Sequence, residues 1–214
     1  MDRLPRGRHG LSPEFVAQNQ RQRLIAGLIQ ALYEVGYEKT TVSMIGQKAA
    51  VSKSDFYKHF ESKDDCFIAA YESAVDQIGQ RIDTVCAEEE DGSWVARTRI
   101  AIEAMLTLFS EQPALASIVL VEGLRAGRVV YDRYQKAVDG FVCYIRRGAP
   151  PGPDGAEVPE ATDEAIVGGI ASLLGRRVLG GEAEQINQLF PEVLEFALTP
   201  YLGAEQARRI VSAG

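Results

Sequence analysis

Between Gly36 and Phe67 the chain reads GYEKTTVSMIGQKAAVSKSDFYKHFESKDDCF, a stretch whose spacing fits a short helix, a tight turn and a second short helix. Thr41 stands just before a helix expected from about Ser43 to Ala50. A hydroxyl there can accept one of the backbone N–H groups that a helix start leaves unpaired. Val42, Ile45 and Ala49 fall on one face of that helix. Ala50-Val51-Ser52 makes the turn, Ser52 caps the next helix, and Phe56 and Phe60, four residues apart, pin it inward. Its other face stays free. Lys53, Ser54, Tyr57 and Lys58 lie there, two cations suited to phosphates and hydroxyls able to donate to phosphate oxygens or base edges. This is the layout of a DNA-reading helix-turn-helix.

Gly36, Tyr37, Thr40, Thr41, Val42 and Ile45, followed by Val51, Ser52, Phe56, Tyr57, His59, Phe60 and Lys63, resemble the N-terminal signature of the TetR family of bacterial transcriptional regulators. That signature runs Gly-Tyr-x-x-Thr-Thr-Val-x-x-Ile, then Val-Ser-x-x-x-hydrophobic-Tyr-x-His-Phe-x-x-Lys. A long spaced match is far more specific than a short motif. The resemblance covers residues 12–71, and it implies a DNA-contact set of Thr41, Ser43, Ser52, Lys53, Ser54, Asp55, Tyr57, Lys58, His59 and Lys63. Two positions depart from the usual pattern: Ala50 replaces the turn glycine, and Asp55 puts an anion where a small or hydroxyl residue usually faces DNA. Asp55 has two workable roles. It can accept from a cytosine amino group in the major groove, or act as an early-helix anion favoured by the helix dipole and paired with Lys53 or Lys58. The second role is the one adopted as the expectation.

The formal net charge of −7 argues against nucleic acid only when read globally. Residues 1–63 carry 10 Lys+Arg against 6 Asp+Glu, net +4, whereas residues 64–214 carry 13 against 24, net −11. A basic head on an acidic body is the asymmetry of a DNA-binding module with a separate regulatory domain. Cys66, Cys86 and Cys143 are widely spaced and form no Cys-x-x-Cys pair, so neither a disulfide framework nor a zinc site is indicated, and no metal or cofactor is expected. Apolar runs such as Ile118 to Val121 fall far short of a membrane span. A cytoplasmic location without membrane contact is expected.

Three segments follow from these patterns: a basic arm over residues 1–11, a helix-turn-helix domain over 12–62 and a helical body over 63–214. Arg3, Arg6 and Arg8 could lie along phosphates or in a minor groove, although an untethered tail reads the same way. Ser12-Pro13-Glu14 starts a helix whose stripe is Leu24, Leu28 and Leu32, and Gly36 ends it. From Lys63 a long helix runs toward the acidic stretch Glu88 to Asp91, read as a solvated face. Helices are expected at Trp94–Ser110, Pro113–Ala126, Val129–Arg147, Thr162–Leu179 and Glu182–Leu202, the last interrupted at Pro191. Residues 148–161, with four prolines, read as a flexible loop. No sustained period-two alternation appears, so the fold class is all-α.

With histidine only at His9 and His59, and no glycine pattern of phosphate-cradling spacing, little is available to build an enzyme. Trp94, Met105, Phe109, Tyr131, Tyr134, Phe141 and Tyr144 read first as core. The family resemblance adds a second reading, a cavity for a small-molecule effector whose identity is not written in the sequence. Ile166, Gly169, Ile170, Leu173, Leu174, Leu189, Val193 and Phe196 give the last two helices broad apolar surfaces, which burial within one chain would satisfy. The resemblance implies instead a four-helix homodimer interface, and two-fold pairing would double the bases read. The resulting expectation is a homodimeric repressor released from a palindromic double-stranded operator by its effector. The other reading is a ligand-binding or protein-interaction dimer without operator specificity.

Overall fold

The computed structural model describes residues 12–89 and 92–213, so the basic arm and the end of the acidic stretch lie outside the described residues. Every regular element among those described is helical, as the all-α expectation requires. The chain divides into two compact units, Met1–Ser73 and Ala74–Gly214.

The first unit holds α1 (Pro13–Val35), α2 (Val42–Ala49), α3 (Lys53–His59) and the start of α4 (Lys63–Ala87). Ser12 accepts from the Phe15 N–H, Pro13 occupies the first helical position, and Gly36 ends α1 at φ 76°. The expected stripe of Leu24, Leu28 and Leu32 is buried. α2 crosses it at Gly27, where a Cβ would stand 2.9 Å from the Ile45 carbonyl oxygen, so only hydrogen fits between the two backbones. Ile45 and Ala49 of α2 are buried, while Val42 is half-exposed.

Phe56, Phe60, Cys66, Phe67, Ala70 and Tyr71 close this core. Full burial of a phenylalanine contributes roughly 1.5–3 kcal/mol relative to exposure. Tyr37 meets Phe67 edge-on at 5.2 Å, and Phe67 stacks on Tyr71 at 6.4 Å. These α4 side chains account for a compact unit that runs to Ser73, past the boundary at Lys63 that the sequence suggests. Burial pushes the Cys66 thiol up to about 12, so it stays protonated.

The second unit contains the rest of α4, then α5 (Trp94–Glu111), α6 (Pro113–Ser117), α7 (Gly123–Arg125), α8 (Arg128–Arg146), α9 (Glu160–Leu179), α10 (Phe190–Leu202) and α11 (Ala204–Ser212). The helix expected over Pro113–Ala126 is α6 and α7 joined by a π-helical turn, Ile118–Glu122, whose residues are all buried. Gly175 of α9 lies on this turn, with a Cβ there only 3.2 Å from the Leu120 carbonyl oxygen. The proline-rich stretch is not featureless: Pro153–Gly155 forms a 3-10 turn, with the Gly152 N–H donating to the Ala156 oxygen at 2.8 Å.

The expected Glu182–Leu202 helix splits into a 3-10 segment, Ala183–Leu189, and α10, which has Pro191 in its first turn. The unexpected element is α11. After Gly203 the apolar residues Ala204, Ala207, Ile210 and Val211 recur at helical spacing, although only Ala207 is buried, and this short stripe lies beyond the expected Glu182–Leu202 helix. No single helix among the described residues is long and apolar enough to cross a membrane.

Candidate nucleic-acid interface

The turn between α2 and α3 carries the geometry of the candidate site. Thr41 caps α2 by accepting from the Met44 N–H at 3.3 Å, and Ser52 caps α3 by accepting from the Asp55 N–H at 3.0 Å. Ala50 closes α2 in the left-handed region, φ 48° and ψ 46°, where its Cβ is strained. Arg23 of α1 holds that turn from outside, its guanidinium donating to the Ala49 oxygen and, at 3.0 Å, to the Ala50 oxygen. The clamp satisfies carbonyls left over at the α2 end. Between the two helices runs an open groove of about 470 Å³ lined by Ser43, Gly46, Gln47, Ala50, Val51, Ser52 and Lys53.

Phe56 is fully buried and Phe60 nearly so, which turns Lys53, Ser54, Tyr57 and Lys58 to solvent. Tyr57 is half-exposed and rests edge-on against Phe56 at 5.4 Å. Asp55 is tied to its own helix. Its Oδ1 accepts from Lys58 Nζ at 2.7 Å and its Oδ2 from Ser52 Oγ at 2.7 Å, and these contacts hold its carboxyl below the usual aspartate value, Lys58 contributing most. Ser52 and Asp55 thus make the first half of a capping box, the Asp55 N–H donating to Ser52 Oγ, while the carboxylate takes the Ser52 hydroxyl proton as its hydrogen bond. Of the two expected partners, Lys58 is the one found.

Two residues of the contact set face inward. His59 is half-buried, with Nε2 3.1 Å from Gln20 Oε1 of α1, and burial lowers its pKa. Lys63 donates to the Tyr37 carbonyl at 2.9 Å and sits 4.0 Å from the centre of that ring, so its ammonium braces the loop before α2. Other cations are also engaged: Lys48 with Glu34 at 2.6 Å, and Arg21 over the Phe60 ring at 5.0 Å. Among the described residues of this unit, Lys39 and Lys53 are the cations without such a partner.

In the second unit the aromatic candidates are spread across several environments. Trp94 and Phe109 are buried, Met105, Tyr134, Phe141 and Tyr144 are half-buried, and Tyr131 is exposed. Trp94 donates from Nε1 to the Ile145 oxygen at 2.7 Å and packs 4.8 Å from the Tyr201 ring. Tyr201 donates to Asp163, a fully buried carboxylate whose other oxygen lies 3.0 Å from Arg146 Nε. The Tyr144 hydroxyl lies 2.7 Å from Cys86 Sγ, and burial followed by that contact raises its pKa. The Arg146–Asp163–Tyr201 group has no local sequence signal, because its members are far apart along the chain.

Among the expected pairing residues, Ile166, Ile170, Leu174 and Val193 are buried within the single chain. Leu173 and Leu189 are half-buried, Gly169 is exposed, and Phe196 is 48% exposed. The Phe196 ring lies over Gly169, where a Cβ would meet it at 3.1 Å. Leu179 at the end of α9 is also exposed.

Residues 24–70 match the family model described as bacterial regulatory proteins, tetR family. An HTH-type transcriptional regulator of Mycobacterium tuberculosis is 27% identical over 158 residues, covering 70% of this chain and 78% of its own length. The nucleoid occlusion factor SlmA of Photobacterium profundum is 28% identical over 122 residues, covering 56% of this chain and 60% of its own. Among solved structures, the transcriptional regulator FadR from Bacillus subtilis in complex with stearoyl-CoA superposes with a TM-score of 0.69 at 16% identity, over 84% of this chain and 98% of that one. At that identity the likeness concerns the fold.

Proposed function

We propose that this chain, whose residues 24–70 match the tetR family model, is a TetR-family transcriptional regulator and a homodimeric repressor of the cytoplasm. On this reading it binds a palindromic double-stranded operator through α3 and releases it when a small-molecule effector enters the helical body. One observation carries the reading. α3 is anchored by Phe56 and Phe60 and capped by Ser52, so Lys53, Ser54, Tyr57 and Lys58 are presented together on a rigid outer face. Lys53 and Tyr57 read bases, Ser54 and Lys58 hold phosphates, and Thr41 and Ser43 approach the backbone from the start of α2.

One such helix contacts too few bases for specificity, and a two-fold dimer places two in successive major grooves roughly 34–36 Å apart. Pairing uses the accessible side of α9, α10 and the 3-10 segment between them, namely Gly169, Leu173, Leu189 and Phe196. No catalytic chemistry is assigned. The body's half-buried Met105, Tyr134, Phe141 and Tyr144 are the effector contacts proposed, with Trp94, Phe109 and Tyr131 around them.

Selection of genomic fragments by the purified protein tests the reading. A single enriched palindrome is the expected result. Recovery of fragments without a common sequence would instead favour a ligand-binding or protein-interaction dimer lacking operator specificity.

A further inference from the structure

We infer that Asp55 competes with DNA phosphate for Lys58, so that α3 holds every duplex more weakly and stays bound only where base contacts add to the phosphate contacts. The inference rests on the DNA-binding reading above. Its basis is the placement of the carboxylate. Asp55 Oδ1 is 2.7 Å from Lys58 Nζ, while Oδ2 is held by Ser52 Oγ at 2.7 Å, itself 2.9 Å from Ser54 Oγ. Held at both oxygens, the anion remains beside the ammonium, and Lys58 stays 71% exposed on the outer face. An exposed cation of the outer face therefore carries its own counter-ion.

Binding without regard to sequence is driven by the release of ions condensed on DNA, in proportion to the phosphates that the protein neutralises. A lysine already neutralised contributes little to that release. Phosphate must share the Lys58 ammonium with Asp55 or displace it, and displacement leaves a carboxylate close to the DNA backbone. This cost falls on every duplex alike. Contacts from Lys53 and Tyr57 to base edges add to binding only at a matching site, so affinity for operator and random DNA falls by the same factor, and random sites lose occupancy first because they start weaker. The scarcity of unpartnered cations in this unit, Lys39 and Lys53 among the described residues, makes the state of Lys58 matter more.

The probe is a 20-base-pair duplex of non-palindromic sequence, titrated with the full chain by fluorescence anisotropy at several salt concentrations. Asp55→Asn preserves the size of the side chain and an acceptor for Ser52, and circular dichroism checks the helix content of each variant. Asp55→Asn is expected to bind this duplex several-fold more tightly, with a slope of log K against log salt steeper by about 0.9 per head. In a Lys58→Met background the same change should leave the slope where it was. An unchanged slope in Asp55→Asn would overturn the inference. So would an equal gain in both backgrounds, since Asp55 would then act by repelling DNA and not through Lys58. If wild type, Asp55→Asn and Lys58→Met all fail to bind any duplex at low salt, the DNA-binding reading fails and the inference with it.

Discussion

Ala50 sits at φ 48°, a left-handed backbone that costs a residue with a Cβ about 1–2 kcal/mol relative to glycine. The Arg23 guanidinium on the carbonyls of Ala49 and Ala50 offsets part of that cost by satisfying the end of α2. Ala50→Gly should therefore stabilise the fold by about 0.5–1 kcal/mol in urea denaturation, whereas Arg23→Met should destabilise it. A loss of stability in Ala50→Gly would contradict this account of the turn. His59 supplies a pH dependence. Burial places its folded pKa below the ordinary value, so the unfolded chain takes up a proton first as pH falls. Its contribution is full above about pH 7.5 and is lost as pH falls through 6.5 toward the lower folded value. His59→Gln should flatten the fall in stability between pH 7.5 and 5.5, and equal slopes for the two proteins would refute the assignment.

At the scale of elements, what was legible in the sequence was local. Thr41, Ser52 and Ser12 mark helix starts because a hydroxyl precedes an apolar stripe within one turn, and each is found as a cap. Phe56 and Phe60 set the orientation of α3 through their own spacing. Features that depend on distant partners were not legible. Arg23 meets a turn 26 residues away, Gly27 matters only once α2 crosses it, and the π-helical turn lies where Gly175 of α9 approaches. Lys63 shows the difference most clearly. It matches a family position, yet its ammonium turns onto Tyr37. Lys63→Met should thus cost about 1–2 kcal/mol of stability through a lost charged hydrogen bond and cation–π contact. The salt slope of duplex binding should stay unchanged, and a slope lowered by about 0.9 per head would restore Lys63 to the phosphate contacts.

For the whole molecule, the proposed binding to a palindromic operator calls for two copies of α3, and pairing is tested at a residue that the single chain does not need buried. Phe196 is 48% exposed over Gly169. Phe196→Glu should leave the fold intact and convert dimers to monomers in sedimentation velocity, because an unpaired charge in an apolar interface is costly to desolvate. Dimers that persist unchanged would exclude this surface. DNA reading by the outer face of α3 is tested by comparing the sequences selected from a random duplex library by wild type, Lys53→Gln and Tyr57→Ala. The expected result is one two-fold symmetric site for wild type and altered base preference in each variant at mirrored positions of both half-sites. The same enriched sequence in all three proteins, or none in wild type, would contradict it.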